Sequence, residues 1–141
     1  MNSYLELKEK HQKEINAFPL GFAFNEKQFN EMMEKWNLTP EDTDKIYSIG
    51  GGGFIRKSDS EALQEMCKRH KTEIETAMTE NTDDYLYHMF DYELANHEYN
   101  YTGDLEDTLD AIGITYPEVK ANKVMFDALK RAIVHQESLD E

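Results

Sequence analysis

One stretch of the chain concentrates side chains that bind metals or transfer protons. His88, Asp91, Glu93, His97 and Glu98 fall within eleven residues, and imidazole and carboxylate are common metal ligands. On a helix that turns about 100° per residue, His88 and His97 point about 180° apart, whereas Glu93 and His97 share a face. Two ligands do not make a metal site. We therefore predict no metal and no other cofactor, and interpret Glu93 and His97 as a hydrogen-bonded pair at the edge of the core.

The single cysteine, Cys67, cannot form an internal disulfide bond or a cysteine zinc site. It lies on or beside an apolar helical stripe, so we expect a small core residue rather than a nucleophile. His70 follows one turn later, but catalytic pairs usually meet across a fold rather than along one helix. The chain contains no Gly-X-Ser-X-Gly or His-Glu-X-X-His motif. We predict that the protein is not an enzyme and name no catalytic residue. A hydrolase or metal-dependent enzyme built on His88, Asp91, Glu93 or His97 stays open as an alternative.

Four consecutive glycines, Gly50 to Gly53, invite comparison with a phosphate-binding loop. That motif requires Lys-Ser or Lys-Thr after its last glycine and then a helix. Here Phe54 and Ile55 follow, and both favour a strand. The glycines therefore predict the tip of a β-hairpin with positive φ angles. Because glycines also let another backbone approach closely, we predict a secondary contact there. It consists of Gly51, Gly52, Arg56 and Lys57.

The charge of the chain is strongly asymmetric. Its 141 residues include 29 Asp and Glu against 15 Lys and Arg, a formal net charge of -14. No Lys or Arg occurs between Lys71 and Lys120, a stretch that holds 13 carboxylates. Such asymmetry favours a charged partner, although a solvated face that keeps the protein in solution is the alternative. So acidic a chain is not expected to bind nucleic acid or anionic lipid directly.

The acidic stretch also holds six of the eight tyrosines. A tyrosine anchors an interface at low entropic cost, and a carboxylate accepts a bidentate arginine. The carboxylates predicted to bind a partner lie on the solvent-facing side of one predicted helix or at the N-terminus of another. At a helix N-terminus, stabilisation of the helix itself is the alternative role. The predicted partner-binding residues are Asp83, Asp84, Asp91, Glu98, Tyr99, Tyr101, Asp104, Glu106 and Asp107.

These side chains must be positioned by a mainly helical α+β fold, with five to six helices and one β-hairpin at about 45–57 packed on them. The apolar spacing and capping signals predict helices over about 4–17, 25–37, 58–80, 83–98, 104–113 and from 115 onward, with a loop at 99–103. We expect a single globular domain over 1–141 with a frayed tail at 136–141.

Neither a membrane span nor a signal peptide is expected. No run approaches 18 apolar residues, and the first ten residues carry charges where a signal peptide has an apolar core. The expectation is a cytoplasmic protein with no membrane partner. Nothing in the sequence indicates the oligomeric state.

Three stretches of the chain resemble the corresponding stretches of a known group of proteins. They are FPLGFAF at 18–24 with KQF at 27–29, DKIYSIGGGGFIRKSD at 44–59, and YELANHEYNYTGDLEDTLD at 92–110. Together they resemble a family of small acidic proteins of gut-bacterial phages and mobile elements, which is similar in turn to anti-CRISPR inhibitors of the type II RNA-guided nuclease. The resemblance covers most of the chain, but its motifs carry no catalytic chemistry.

The resemblance implies a protein of the bacterial host cell that binds and inhibits the host CRISPR effector nuclease. That nuclease reads a short DNA tag with arginines and holds nucleic acid in a basic channel. Carboxylates could take the places of phosphates there and compete with DNA, although locking of domains or dimerisation would also inhibit. Another basic protein surface in host defence, replication or transcription is the alternative target. Sequestration of a signalling nucleotide is a further alternative. It would require that five basic side chains meet in one pocket: Arg56, Lys57, Lys68, Arg69 and Lys71.

Overall fold

The computed structural model describes residues 3–139. These residues form eight α-helices, three β-strands and short 3-10 turns, which confirms a mainly helical α+β fold with more helices than the five to six predicted. The elements are α1 (Ser3–Ala17), β1 (Gly21–Phe22), α2 (Glu26–Lys35), β2 (Ile46–Gly50), β3 (Gly53–Arg56), α3 (Ser60–Glu80), α4 (Tyr85–Asn96), α5 (Tyr99–Thr102), α6 (Glu106–Ile112), α7 (Tyr116–Ala121) and α8 (Lys123–Ser138).

Two departures from the predicted pattern raise the helix count. The predicted loop at 99–103 is wrong, because Tyr99–Thr102 form the single helical turn of α5. The last predicted helix is split at Asn122, whose backbone is extended (φ -115°, ψ 106°). The Asn122 side chain accepts a hydrogen bond of 3.1 Å from the backbone N–H of Met125 and so caps α8.

The C-terminal helix extends into the segment predicted as a frayed tail. Helix α8 continues to Ser138, and Gln136 is buried. Its side-chain amide donates to the Asp91 carboxylate at 2.8 Å, which ties this end of α8 to α4. Residues 140 and 141 of the predicted tail lie outside the described residues.

The described chain divides into two compact units. The first, which we call the sheet unit, is residues 11–73. Its antiparallel sheet has the order β1-β3-β2, so the predicted hairpin forms and β1 adds a third strand to it. Strand β1 packs close to α2, since a Cβ on Gly21 would come within 2.5 Å of the Met32 sulfur. The buried core of this unit is centred on Met32, Met33 and Ile46.

The second unit, which we call the helical unit, comprises residues 1–10 and 74–141, described from 3 to 139. Helices α4 and α8 make its main contact and carry most of its core. Removal of these apolar side chains from water is the dominant stabilising term. The fully buried side chains on these two helices include Met89, Phe90, Leu94, Leu129 and Ala132. No helix among the described residues is long and apolar enough to cross a membrane.

Candidate functional site

The charge asymmetry of the sequence coincides with the division into units. The helical unit carries 18 of the 29 acidic residues and six of the 15 basic residues, a net charge of -12. The sheet unit carries the remaining 11 acidic and nine basic residues, a net charge of -2. The acidic surface is therefore a property of the helical unit, and all nine predicted partner-binding residues belong to it.

Asp84 is occupied by a cation of its own chain. The Arg131 guanidinium on α8 donates two hydrogen bonds to its carboxylate, at 3.2 and 2.7 Å. These hydrogen bonds hold the pKa of Asp84 below its ordinary value. The same guanidinium lies over the Tyr87 ring, 4.6 Å from its centroid. The ion pair between Asp84 and Arg131 thus connects α8 to the N-terminal end of α4.

Asp91 also faces α8 rather than open solvent. Its Oδ1 lies 2.7 Å from Nδ1 of His135 and accepts from the side-chain amide of Gln136 at 2.8 Å. Asp84 and Asp91 are thus partly exposed on the predicted polar side of α4 but already paired with residues of α8, and their role in binding a partner stays a prediction. The helical geometry was correct, but the chain supplies its own polar partners on that side.

The remaining acidic positions are concentrated in one short segment. Glu98, Asp104, Glu106, Asp107 and Asp110 are exposed, and none makes an ion pair with a residue in the described range. Tyr101 lies among them and is 91 % exposed, the most exposed of the large hydrophobic side chains described. We call this the 98–110 surface and define it as Glu98, Tyr101, Asp104, Glu106, Asp107 and Asp110. Asp83, also exposed, lies outside this segment, at the turn before α4.

Local chemistry explains how this segment is shaped. Glu98, immediately before α5, has a positive φ of 53°, and Gly103, immediately after it, has a φ of 70°. Asp104 then accepts a hydrogen bond of 2.8 Å from the backbone N–H of Glu106, which starts α6. The structural role anticipated for acids at a helix N-terminus is therefore real for Asp104. Tyr99 is half-buried against the helical core and contributes mainly to packing.

A groove opens beside this surface. It has a volume of about 430 Å³ and is lined by residues of α4, α5 and α8 and the link between α4 and α5. Leu94 and Ala95 form its apolar part, while Glu98 and Tyr101 bring a carboxylate and an exposed ring to it. The arrangement combines three predicted residues, Glu98, Tyr99 and Tyr101, in one concave site.

Most residues of the predicted secondary contact at the hairpin interact with other residues of the sheet unit. Arg56 donates to the Asp59 carboxylate at 2.8 Å and lies over the Trp36 ring. Lys57 lies over the Tyr47 ring, 4.9 Å from its centroid. Gly52 is covered by the Phe24 ring, whereas a Cβ on Gly51 would meet nothing within 4 Å.

Glu93 is the most buried carboxylate described, with 1 % of its surface exposed. Its Oε2 lies 3.3 Å from Nε2 of His97, so the two side chains are adjacent as predicted, but this nitrogen makes no hydrogen bond with any described residue. Sequence reasoning missed two further partners on α1: the Tyr4 hydroxyl donates to Oε1 at 2.6 Å and the Lys8 ammonium at 3.2 Å. Tyr4 and Lys8 are one helical turn apart, which is the only sequence signal that could have joined them.

The surroundings of Glu93 bury its carboxyl group and give it a structural role. Burial and the hydrogen bond to Glu93 raise the pKa of Tyr4 well above its ordinary value. Burial also raises the pKa of Tyr85 to about 12, and its hydroxyl has no hydrogen-bond partner among the described residues. Among residues 3–139, no group of three or more His, Cys, Asp or Glu side chains is arranged to hold a metal ion.

A second polar cluster, in the sheet unit, was not predicted. His11 and His70 are both buried; His11 Nε2 lies 3.1 Å from Glu73 and His70 Nε2 lies 3.0 Å from Glu14. Arg69 bonds to both carboxylates and, with His70, lowers the pKa of Glu14 to about 2. Both histidines lie on apolar stripes, which indicated burial but not the pairing.

Cys67 does not take part in this cluster. It is exposed, so the expectation of a small core residue is wrong. The α3 stripe that turns inward passes through His70 instead.

Comparison with known proteins adds a family but no activity. No curated protein and no solved structure matches the chain. A family of unknown function, DUF7659, matches residues 3–135. Because that match spans nearly the whole chain, the protein belongs to the DUF7659 family.

Proposed function

We propose that this protein is a binding module that uses the 98–110 surface to occupy a basic, nucleic-acid-binding surface of another protein. The observation that carries the proposal is the set of five exposed carboxylates in this segment that make no ion pair with any residue between 3 and 139. Binding to arginine and lysine side chains would satisfy these charges. The protein acts by occupying a surface rather than by catalysis.

The proposed target is the type II CRISPR effector nuclease of a bacterial host, and the proposed effect is inhibition of DNA cleavage. The choice of this target rests on the resemblance of the three stretches at 18–29, 44–59 and 92–110. The charge of the helical unit supports it, because the nuclease holds nucleic acid in a basic channel. Carboxylates in that channel would exclude DNA by competition for the same arginines and lysines.

Tyr101 gives such a contact an anchor that charge alone lacks. Aromatic side chains dominate interface energetics when a partner buries them, and Tyr101 has nearly its whole surface available. Acidic residues around it would steer a basic partner toward this point and raise the association rate. The 98–110 surface therefore contains both carboxylates that attract a basic partner and an aromatic side chain, Tyr101, that the partner can bury.

The test is a DNA-cleavage assay with guide-loaded type II nuclease, in which this protein is titrated at low and at moderate salt. We expect inhibition that weakens as salt rises, since competition for phosphate-binding cations is screened. The double variant Glu106→Gln/Asp107→Asn should inhibit about tenfold less well. Glu34→Gln/Glu65→Gln changes the net charge equally but in the sheet unit, and should inhibit as the native protein does.

Each alternative has its own outcome. Inhibition that does not change with salt concentration would reject competition with DNA. It would favour binding through apolar contacts or locking of the nuclease domains. Equal losses in the two double variants would show that net charge, not the 98–110 surface, matters. Absence of inhibition across several nuclease orthologues would reject this target, and the surface should then be used to capture another basic protein of host defence, replication or transcription.

A further inference from the structure

The groove beside the 98–110 surface has a definite chemical character. Glu98 and Tyr101 both line it, and its apolar residues belong to α4: Ala95, which is exposed, and Leu94, which is fully buried. Its volume of about 430 Å³ lies within the range of sites that bind small groups. A long side chain with an apolar stem and a charged planar end matches this combination.

The wall of the groove is fixed before any partner arrives. Asn100 donates a hydrogen bond to the backbone carbonyl of Gln136, which ties α5 to α8. The Gln136 amide in turn donates to Asp91 at 2.8 Å, which ties α8 to α4. Because the three elements that line the groove are connected in this way, a ligand would not have to order them.

The charge at the groove is not matched by a cation of the described part of the chain. Glu98 makes no ion pair with any residue between 3 and 139, in contrast to Asp84 and Asp91, which have Arg131 and His135. A carboxylate at the mouth of an apolar groove, beside an exposed aromatic ring, is complementary to a cation on a flexible stem.

We propose that this groove binds one arginine side chain of the basic partner. The guanidinium would lie against the Tyr101 ring and pair with Glu98, while the methylene stem contacts the apolar part. Arginine suits the site better than lysine because its planar group both stacks on an aromatic ring and donates two parallel hydrogen bonds to a carboxylate. This inference rests on the proposed function, since it names the partner group that the 98–110 surface recognises.

The test uses two labelled nine-residue peptides at one fixed salt concentration, one of lysines only and one with a central arginine in place of lysine. Both carry the same charge, so diffuse attraction to the acidic unit is equal. We expect the arginine peptide to bind the intact protein about fivefold more tightly by fluorescence anisotropy. Glu98→Gln and Tyr101→Ala should each abolish this preference.

The matched control is Glu80→Gln, which removes one exposed carboxylate from the same unit but does not line the groove. It should weaken both peptides alike and keep the preference for arginine. Equal affinity of the intact protein for the two peptides would overturn the proposal, as would a preference that survives in both groove variants. Tyr101 is so exposed that its replacement is not expected to disturb folding, which thermal unfolding of each variant verifies.

The peptide assay also separates this inference from the function on which it rests. An arginine preference that depends on Glu98, combined with no inhibition of any nuclease, would uphold the groove and reject the target. Inhibition of the nuclease that persists in Glu98→Gln and Tyr101→Ala would uphold the target and reject the groove.

Discussion

The imidazole rings of His11 and His70 lie face to face, with centroids 3.8 Å apart and planes 16° from parallel. Each ring is held by a carboxylate from the opposite helix: Glu73 of α3 holds His11, and Glu14 of α1 holds His70. Two rings of the same kind are thereby kept at contact distance inside the sheet unit.

The first prediction concerns stability at low pH. The folded-state pKa of Glu14 is about 2 against an ordinary value of 4.5, so between these values the unfolded chain binds more protons than the folded one. The stability that Glu14 contributes is therefore complete above about pH 4.5 and is lost as the pH falls through 2. Urea unfolding at several pH values between about 5 and about 2.5 should show a shallower decline for Glu14→Gln than for the native protein.

Glu65→Gln is the control for this comparison, because Glu65 is exposed and lies on α3 outside the cluster. It should reproduce the native pH dependence. Identical slopes for the native protein and Glu14→Gln would contradict the assignment.

The second prediction concerns the buried Glu93. Glu93→Ala leaves the Tyr4 hydroxyl without its acceptor and removes the counter-charge of Lys8, so we expect a loss of about 3 kcal/mol in the free energy of unfolding. Tyr4→Phe keeps Lys8 and His97 beside the carboxylate and should cost about 1.5 kcal/mol. Denaturant midpoints measure both. A cost for Glu93→Ala below about 0.5 kcal/mol, the usual range for surface changes, would show that the cluster is not structural.

The third prediction follows from the raised pKa of Tyr4. A phenol whose folded-state pKa lies above the ordinary value of 10.0 contributes stability that is complete below pH 10 and is lost as the pH rises further. The native protein should therefore lose stability more steeply above about pH 10 than Tyr4→Phe does. Parallel curves for the two proteins across that range would exclude this role for the hydroxyl.

The fourth prediction separates paired from unpaired carboxylates of the helical unit. Asp84→Asn/Asp91→Asn removes contacts with α8 and should lower the free energy of unfolding by about 1 kcal/mol, because partly exposed ion pairs contribute little each. Inhibition or partner binding should be nearly retained. Glu106→Gln/Asp107→Asn, with the same change in net charge, should lose most of the binding. If the first pair loses as much binding as the second, the partner must displace Arg131 and His135 to reach those acids.

The fifth prediction uses residues with left-handed backbones. Asp83 and Glu98 have φ angles of 55° and 53°, a conformation that costs a non-glycine residue about 1 kcal/mol. Glycine removes this strain but gains entropy in the unfolded chain, so Asp83→Gly and Glu98→Gly should each stabilise by about 0.5 kcal/mol. Thermal unfolding measures the effect, and a lower midpoint in both variants would refute it. Glu98→Gly should gain stability while losing the preference for arginine.

Short-range signals in the sequence predicted the local structure well. The Asn25 side chain accepts from the backbone N–H of Gln28 at 2.8 Å, and Thr115 and Glu118 form a complete capping box. Both motifs act over three residues, so the sequence alone carries all their geometry. The hairpin around the four glycines could be predicted for the same reason, since its signal also lies within a few consecutive residues.

Long-range polar partners could not be predicted from periodicity. Tyr4 and Glu93 are 89 residues apart, and Arg131 and Asp84 are 47 apart. Helical spacing identifies which side of α4 is polar, but not that α8 supplies polar partners to that side. Hence Glu98, Asp104, Glu106 and Asp107 are exposed, whereas Asp84 and Asp91 are partly exposed and pair with residues of α8, and the binding of a partner by any of them stays a prediction.

The four glycines of the hairpin differ in what surrounds them. Gly50 and Gly51 have nothing within 4 Å of the place where a side chain would begin, whereas Gly52 lies under Phe24 and a Cβ on Gly53 would meet Ile49 at 2.9 Å. An affinity tag inserted between Gly50 and Gly51, with both glycines kept, would therefore project away from the sheet and leave every helix unmodified. The hairpin tip is the natural attachment point for a handle with which to recover the protein together with whatever it binds.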